Sequence, residues 1–314
     1  MPLKKIDKSS KPLETKDYKN YNKEKSENFL IEIPKYTFKD IVLANQVKSK
    51  IKDIIYFKKN QEKVFNEWGL SSVIHENINK LVVNLYGPPG TGKTMAAHVI
   101  ANEMKQNLLI VNYSELESKY VGETAKNIEK VFKFAKEKNL IIFFDEADAI
   151  LSKRVTNMSH STDVSVNQTR SVLLMLMNDY DGIILFATNF ISNFDEAFMR
   201  RIQFHIKFEL PDQKCRELLW KKYIPEKMPN NVDIHKLSYQ YKGISGSDIS
   251  NAVMNAAFKA ARLEEEYVDE KYFFEAIQNI IKSKKENKSS TREIISEKIV
   301  TEDYVNSVLK KEER

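Results

Sequence analysis

The apolar run Leu81-Val82-Val83-Asn84-Leu85-Tyr86 breaks into Gly87-Pro88-Pro89-Gly90-Thr91-Gly92-Lys93-Thr94, which places three of the chain's eight glycines within six residues of one another. Such a sequence reads as a strand, a tight loop and a helix over Thr94 to Lys105. The loop backbone N–H groups converge on one point and the helix N-terminus adds a favourable dipole, so the segment is shaped to hold a polyphosphate. In that cradle Lys93 reaches the β and γ phosphates of a nucleoside triphosphate and Thr94 holds Mg2+. Gly87, Pro88, Pro89, Gly90, Thr91, Gly92 and Met95 line the rest.

A second segment completes the chemistry. Leu140-Ile141-Ile142-Phe143-Phe144 runs directly into Asp145-Glu146-Ala147-Asp148. A continuous apolar run reads as a strand covered on both faces in a parallel sheet, with its carboxylates emerging at the C-terminal edge. An acidic pair after a strand can also simply start a helix. Beside a phosphate loop, Asp145 is placed to bind Mg2+ through water, and Glu146 to polarise the water that attacks the γ phosphate.

The chain's 314 residues allow one large or two modest domains, and 42% hydrophobic with 30% charged residues is a globular composition. A single cysteine, Cys215, excludes an intrachain disulfide. No run approaches the ~20 apolar residues that span a bilayer, and the N-terminus lacks an apolar signal segment, so a cytoplasmic location is expected. The net charge of +6 owes much to the first 28 residues, where eight lysines face five acids. Residues 1–35 are read as a basic disordered tail, either merely solvated or able to touch an anionic surface or nucleic acid.

Beyond Pro34 strands alternate with helices. Strands are expected near 81–86, 108–112, 140–144, 183–187 and 205–210, with helical spacing over Thr124 to Lys138 and Val166 to Asn178. Residues 36–211 therefore form a three-layer α/β domain around a five-stranded parallel sheet. After Pro211 the apolar spacing over Gln213 to Tyr223, Ser247 to Glu266 and Lys271 to Lys285 predicts a small all-helical domain over 212–314. Within it Lys282 to Arg292 is expected to be a loop, and Thr301 to Lys310 a last helix capped by Thr301.

Together these motifs resemble the AAA+ ATPases, within the clade that carries a second region of homology, over about residues 37 to 310. The resemblance implies a P-loop NTPase fold with a helical lid, ATP and Mg2+ as ligands, and ATP hydrolysis. Ala187-Thr188-Asn189 is similar to the family's first sensor, in which Asn189 helps to place the attacking water. Asp195-Glu196-Ala197-Phe198-Met199-Arg200-Arg201 resembles the segment that projects arginine fingers into a neighbouring subunit's site, so hydrolysis would require assembly, with a hexamer implied. Which of Arg200 and Arg201 is the principal finger stays open. The Arg200-Arg201-Ile202 form omits the usual Pro-Gly-Arg and is similar to microtubule-severing, endosomal-sorting and membrane-extracting relatives and to certain bacterial proteins.

Ser118-Lys119-Tyr120-Val121-Gly122-Glu123 stands where the family places its first pore loop, with Tyr120 and Val121 gripping an extended polypeptide. From spacing alone Tyr120 reads equally as a core residue. A second pore loop would lie within Lys153 to Gln168. Asp181-Gly182 is similar to the intersubunit signalling element, and Gly243-Ile244-Ser245-Gly246-Ser247-Asp248 to the second sensor, with Gly246 near adenine. In the entry segment Tyr36 to Val42, Asp40 and Ile41 would line the adenine pocket, although Leu43 stands where the family usually has glycine.

Other chemistries find little support. His75-Glu76 is followed by Asn79 rather than a histidine, so no zinc-protease helix is present, and proteolysis would need a partner protease. Clamp-loader or helicase relatives usually carry a second-sensor arginine, so no specific nucleic acid is expected. Two readings remain: a hexameric remodeller that threads protein substrates, aided by the tail or an adaptor, and a nucleotide-gated module that controls a partner effector without threading.

Overall fold

The computed structural model describes residues 29–74, 79–112, 123–151, 161–189 and 194–290. Its sheet has six strands: β1 (Leu30–Glu32), β2 (Leu81–Tyr86), β3 (Leu108–Asn112), β4 (Ile141–Asp145), β5 (Ile183–Thr188) and β6 (Phe204–Lys207). They lie in the order β1-β3-β4-β5-β2-β6. All five strands expected from the sequence are present and mutually parallel.

The sixth strand corrects the five-stranded expectation. Leu30–Glu32, within the segment read as a polar tail, pairs antiparallel with β3 from Leu30↔Ile110 to Glu32↔Leu108. Three residues give too little periodicity to be legible. What makes them a strand is the open edge of β3, whose backbone donors and acceptors need partners.

Helices cover both faces. On one face α1 (Asn45–Lys59) and α2 (Lys93–Met104) bury Ile51, Ile54 and Ile100 against Val83, Leu85 and Phe143. On the other, α3 (Glu123–Lys138) and α5 (Ser161–Asp179) set Ile128, Phe132 and Leu173 against Val82, Phe144 and Phe186. Between them come the short α4 (Asp148–Leu151) and, before β6, the short α6 (Glu196–Met199). Successive strand residues alternate between the two cores, which is why these strands read as unbroken apolar runs. Of the segment considered for a second pore loop, residues from Ser161 onward belong to α5, and 153–160 lie outside the described residues.

Backbone contacts divide the chain into two compact units. One holds the described residues through Lys227 together with Asp233–Ser250. The other holds Met228–Val232 and the described residues from Asn251 on. The first unit includes α7 (Gln213–Tyr223) and α8 (Ile234–Gln240), the latter a helix that the sequence reading passed over; each is capped by an aspartate, Asp212 and Asp233. In α9 (Gly246–Arg262) the chain passes from the first unit to the second.

Inside the second unit, Ala256, Phe273 and Ile277 are buried, and Val268 N donates to the Pro229 carbonyl at 2.8 Å. The last described helix, α10, runs Glu270–Ser290. This corrects the loop expected over Lys282 to Arg292. Four lysines and one glutamate, all good helix formers, stand among its eleven residues, and it has no glycine or proline to stop it. Lys282 and Glu286 add an i,i+4 ion pair at 4.0 Å. The helix expected over Thr301 to Lys310 lies outside the described residues. No helix among the described residues is long and apolar enough to cross a membrane.

Candidate active site

The phosphate loop leaves the sheet at the C-terminal end of β2, beside β5 and one strand away from β4. In a parallel sheet these ends open onto a common edge, where ligands of α/β folds bind. Gly87, Gly90 and Gly92 all adopt positive φ, at 141°, 72° and 95°. Side chains rarely take such angles, which explains the glycines before any ligand is considered. Tight packing adds a second reason. A Cβ on Gly87 would overlap the Phe208 carbonyl oxygen and lie 2.9 Å from its carbon. A Cβ on Gly90 would overlap Ser247 Oγ and approach Ser245 Oγ to 2.7 Å. Among the described residues a Cβ on Gly92 would meet Leu43 and Ile41 at 3.7 and 3.8 Å, so Leu43, the residue in the usual glycine position, lies beside the loop with Ile41. Pro89 and Thr91 complete the turn, and Thr91 Oγ1 donates to the Pro88 carbonyl at 2.8 Å.

Lys93 is buried and its ammonium turns back into the loop. Nζ donates to the carbonyls of Gly87 (2.7 Å) and Pro88 (3.0 Å) and to Asn189 Oδ1 (3.1 Å). Burial pushes its pKa below the usual lysine value, while Asp145 and Asp148 pull the other way. The first residue of β2's helix and the residue just past β5 are thus joined directly, and the expected sensor residue Asn189 sits at the phosphate loop. Thr94 Oγ1 donates to Asp145 Oδ2 at 3.1 Å. The two groups assigned to Mg2+ therefore come from separate elements and meet, and one hydroxyl with one carboxylate is the oxygen donor set that Mg2+ takes when it keeps several waters.

Glu146 is exposed, and its backbone has φ 50°, a left-handed angle uncommon for a side-chain-bearing residue. Its N–H donates to Asp145 Oδ1 at 2.9 Å, which closes the turn at the strand end. Strain of this kind, of order 1–3 kcal/mol, tends to collect at functional positions.

Four contributors, Asp148, Ser245, Ser247 and Asp248, were not assigned roles from the sequence. Asp148 accepts the Asn189 backbone N–H with both carboxylate oxygens, each at 3.1 Å, and so sets where the sensor residue points. Its place three residues after Asp145 was the available signal. Ser245 and Ser247 pack on Gly90, with Ser247 N donating to the Gly90 carbonyl at 3.3 Å. Gly246 lies beside them, a Cβ on it falling 3.4 Å from the same carbonyl. The second-sensor segment therefore contacts the phosphate loop directly. Asp248 stabilises that segment by accepting from Ser245 N at 2.7 Å and Ser245 Oγ at 2.8 Å.

Asp40 uses its carboxylate locally. Oδ2 accepts from Thr37 N and Thr37 Oγ1, both at 2.7 Å, and these bonds hold the carboxyl below the usual aspartate range. Its backbone carbonyl accepts from Lys222 Nζ. Ile41 is buried.

The arginine segment leaves α6, which is capped by Asp195 accepting from Ala197 N at 2.8 Å. The two arginines differ. Arg201 is braced, its Nε on Asn178 Oδ1 and its Nη1 on the Ala197 carbonyl, both at 3.0 Å. The Arg200 side chain is 80% exposed and faces Glu196 at 3.6 Å. At the signalling-like Asp181-Gly182, the Tyr180 ring packs where a Gly182 side chain would stand, and Asp181 faces Lys136 at 3.5 Å. Tyr120 and Val121 lie outside the described residues.

Residues 83–210 match the family model described as "ATPase family associated with various cellular activities (AAA)". The proteasome-activating nucleotidase of Saccharolobus solfataricus is 32% identical over 274 residues, which cover 84% of this chain and 68% of that protein. The 26S proteasome regulatory subunit 6B homolog of Encephalitozoon cuniculi is 33% identical over 262 residues (80% and 65%). The ATP-dependent zinc metalloprotease FtsH of Parabacteroides distasonis is 34% identical over 268 residues (82% and 38%). The chain spans from 19% to 68% of the length of such curated relatives. A phosphate loop whose lysine reaches the residue after β5, and whose threonine meets the aspartate ending β4, together with this similarity along most of the chain, makes the protein a member of the AAA family of ATPases.

Proposed function

We propose that the chain hydrolyses ATP as a homo-oligomeric ring, a hexamer, in the cytoplasm, and uses the energy to unfold protein substrates by threading them past Tyr120 and Val121. The observation that carries the ATPase half is the convergence of Lys93, Thr94, Asp145 and Asn189 through bonds of 3.1 Å. In this reading residues 36–211 are the ATPase domain and 212–314 the helical lid. Lys93 exchanges its loop carbonyls for phosphate oxygens, and Asn189, set by Asp148, orients the attacking water. Glu146 takes that water's proton as general base. Mg2+, held by Thr94 and Asp145, would neutralise charge on the β and γ phosphates. Asp40, Ile41 and Gly246 border the base, and of the two arginines the exposed Arg200 is the one to reach a neighbouring subunit, while Arg201 stays on Asn178 and the Ala197 carbonyl.

Threading is supported by relatives whose names include proteasome activation and regulation and an ATP-dependent protease, which also makes a partner protease or adaptor a reasonable companion. The decisive test compares Tyr120→Ala with Tyr120→Phe in ATP-dependent unfolding of a tagged reporter. Threading requires that Phe works and Ala fails while basal ATPase survives within a few fold, because an aromatic face is what grips. Full ATP-dependent function of Tyr120→Ala would favour the nucleotide-gated module, and an insoluble Tyr120→Ala would mark a core residue.

A further inference from the structure

Helix α4 has four residues, Asp148–Leu151, too few to be stable by themselves, so its position is set by what holds it at either end. At its entry Ala147 N donates to the Ala187 carbonyl of β5 at 2.9 Å, and the Asp148 carboxylate accepts Asn189 N with both oxygens at 3.1 Å. The last four carbonyls of any helix lack partners within the helix. Here the Leu151 carbonyl accepts Asp195 N, the cap of the arginine segment, at 3.0 Å. The Ile150 carbonyl accepts Arg170 Nε of α5 at 3.2 Å.

Arg170 is buried, 3% exposed. A guanidinium is costly to take from water and is tolerated inside a protein where its donors find acceptors. Its Nη1 donates to Asn167 Oδ1 at 3.4 Å, one turn back on its own helix, whereas the Ile150 bond crosses to another element. Ile150 and Leu151 lie in the same apolar core as Leu173 and Leu174 of α5. An apolar side chain at position 170 would keep that packing and leave the Ile150 carbonyl without this donor. What the arginine adds is a fixed direction at the end of α4.

We infer that Arg170 is a positioning residue for ATP hydrolysis, which fixes α4 through the Ile150 carbonyl and thereby the Asp148 carboxylate that orients Asn189. The inference rests on the proposed reading of Asn189 as the residue that places the attacking water. Arg170 acts on the backbone of α4 and needs no contact with the nucleotide.

The test measures steady-state ATPase for Arg170→Met, Arg170→Gln, Asp148→Ala, Asn189→Ala and the double variant Asp148→Ala, Arg170→Met, with folding checked by thermal melts. Met matches the length of the arginine chain without a donor. Gln carries an N–H the same number of bonds from Cα as Arg Nε, without the charge. Arg170→Met should lower kcat about five- to ten-fold while KM for ATP stays within about two-fold, as expected when a group acting in the transition state is misplaced. Arg170→Gln should return kcat to within about three-fold of wild type. In the Asp148→Ala background Arg170→Met should change kcat by less than about two-fold, because the two residues act along one path. Mixing Arg170→Met with Glu146→Gln subunits should not raise turnover per Arg170→Met subunit, since the misplaced sensor belongs to the same site as the intact base.

Wild-type turnover by a folded Arg170→Met overturns the inference, as do a Gln variant no better than Met and independent, multiplying losses in the double variant. Recovery on mixing with Glu146→Gln would put the defect in the arginine segment and overturn the path through Asn189. If Arg170→Met does not fold, the Gln variant decides, and a folded Gln variant more than about ten-fold below wild type overturns the inference. Wild-type turnover by Asn189→Ala overturns the sensor reading itself, whereas an impaired Asn189→Ala beside a fully active Arg170→Met overturns only the role of Arg170.

Discussion

Replacing Gly87 by alanine separates two demands on that glycine, close approach to a phosphate and close approach to the protein itself. The added Cβ would overlap the Phe208 carbonyl oxygen and lie 3.2 Å from Phe208 Cβ, while φ stays at 141°. Relief requires backbone to move by about 1 Å, since carbon contacts settle near 3.5–4.0 Å. That movement strains or breaks the Phe208 N to Tyr86 O bond of 2.7 Å and disturbs a buried phenylalanine. Backbone strain of about 1–3 kcal/mol, a lost hydrogen bond of about 1 kcal/mol and overpacking of about 1–3 kcal/mol sum to roughly 5 kcal/mol. For a unit of this size that lowers Tm by roughly 10 °C. Gly92→Ala is the matched control. It also has positive φ, but its nearest neighbours, Leu43 and Ile41, leave room at 3.7 and 3.8 Å. Only the backbone cost of about 1–2 kcal/mol remains, so Tm falls by no more than about 5 °C. Thermal unfolding followed by circular dichroism, without nucleotide, measures both. Equal drops for the two variants would refute the packing argument and leave the positive φ and the approach of phosphate as the reasons for Gly87.

Glu146→Gln should retain ATP binding and slow hydrolysis by about 10²-fold or more, because an amide cannot take the proton, while Lys93→Ala should lose nucleotide binding in a fluorescent-nucleotide titration. Asp148→Ala should lower kcat about ten-fold with KM little changed, since Asn189 loses the carboxylate that orients it; unchanged turnover would remove Asp148 from the site. His98 of α2 anchors the segment after β1, accepting from Lys35 N at 3.4 Å and meeting the Tyr36 ring edge-on at 5.5 Å. Burial lowers its pKa against the opposing pull of Glu32. The unfolded chain therefore takes up this proton first as pH falls below about 6.5, and stability declines through that window. His98→Phe should shrink the loss of Tm between about pH 7.5 and about pH 5.5, and an unchanged loss would rule His98 out as its source.

The strands and the two halves of the nucleotide site were legible because each is carried by contiguous residues. A glycine loop between a strand and a helix, and carboxylates ending an apolar run, are local patterns that need no partner to be recognised. Helix α8 was missed because it spans only Ile234–Gln240, and the end of α10 because a polar stretch of lysine and serine shows no apolar period.

What tertiary structure alone decided depends on residues far apart in the chain. The strand order β3-β4-β5-β2-β6 brings Asn189 onto Lys93 and Asp145 onto Thr94. It also sets Phe208 against Gly87 and pairs Asn84 with His205. Leu30–Glu32 becomes a strand only because the edge of β3 offers unpaired backbone. The sequence by itself named the candidate groups for the chemistry, since residue type and local spacing express that. Their orientation, and the packing that demands glycine at Gly87 and Gly90 even before phosphate is bound, came from long-range contacts, which no local pattern encodes.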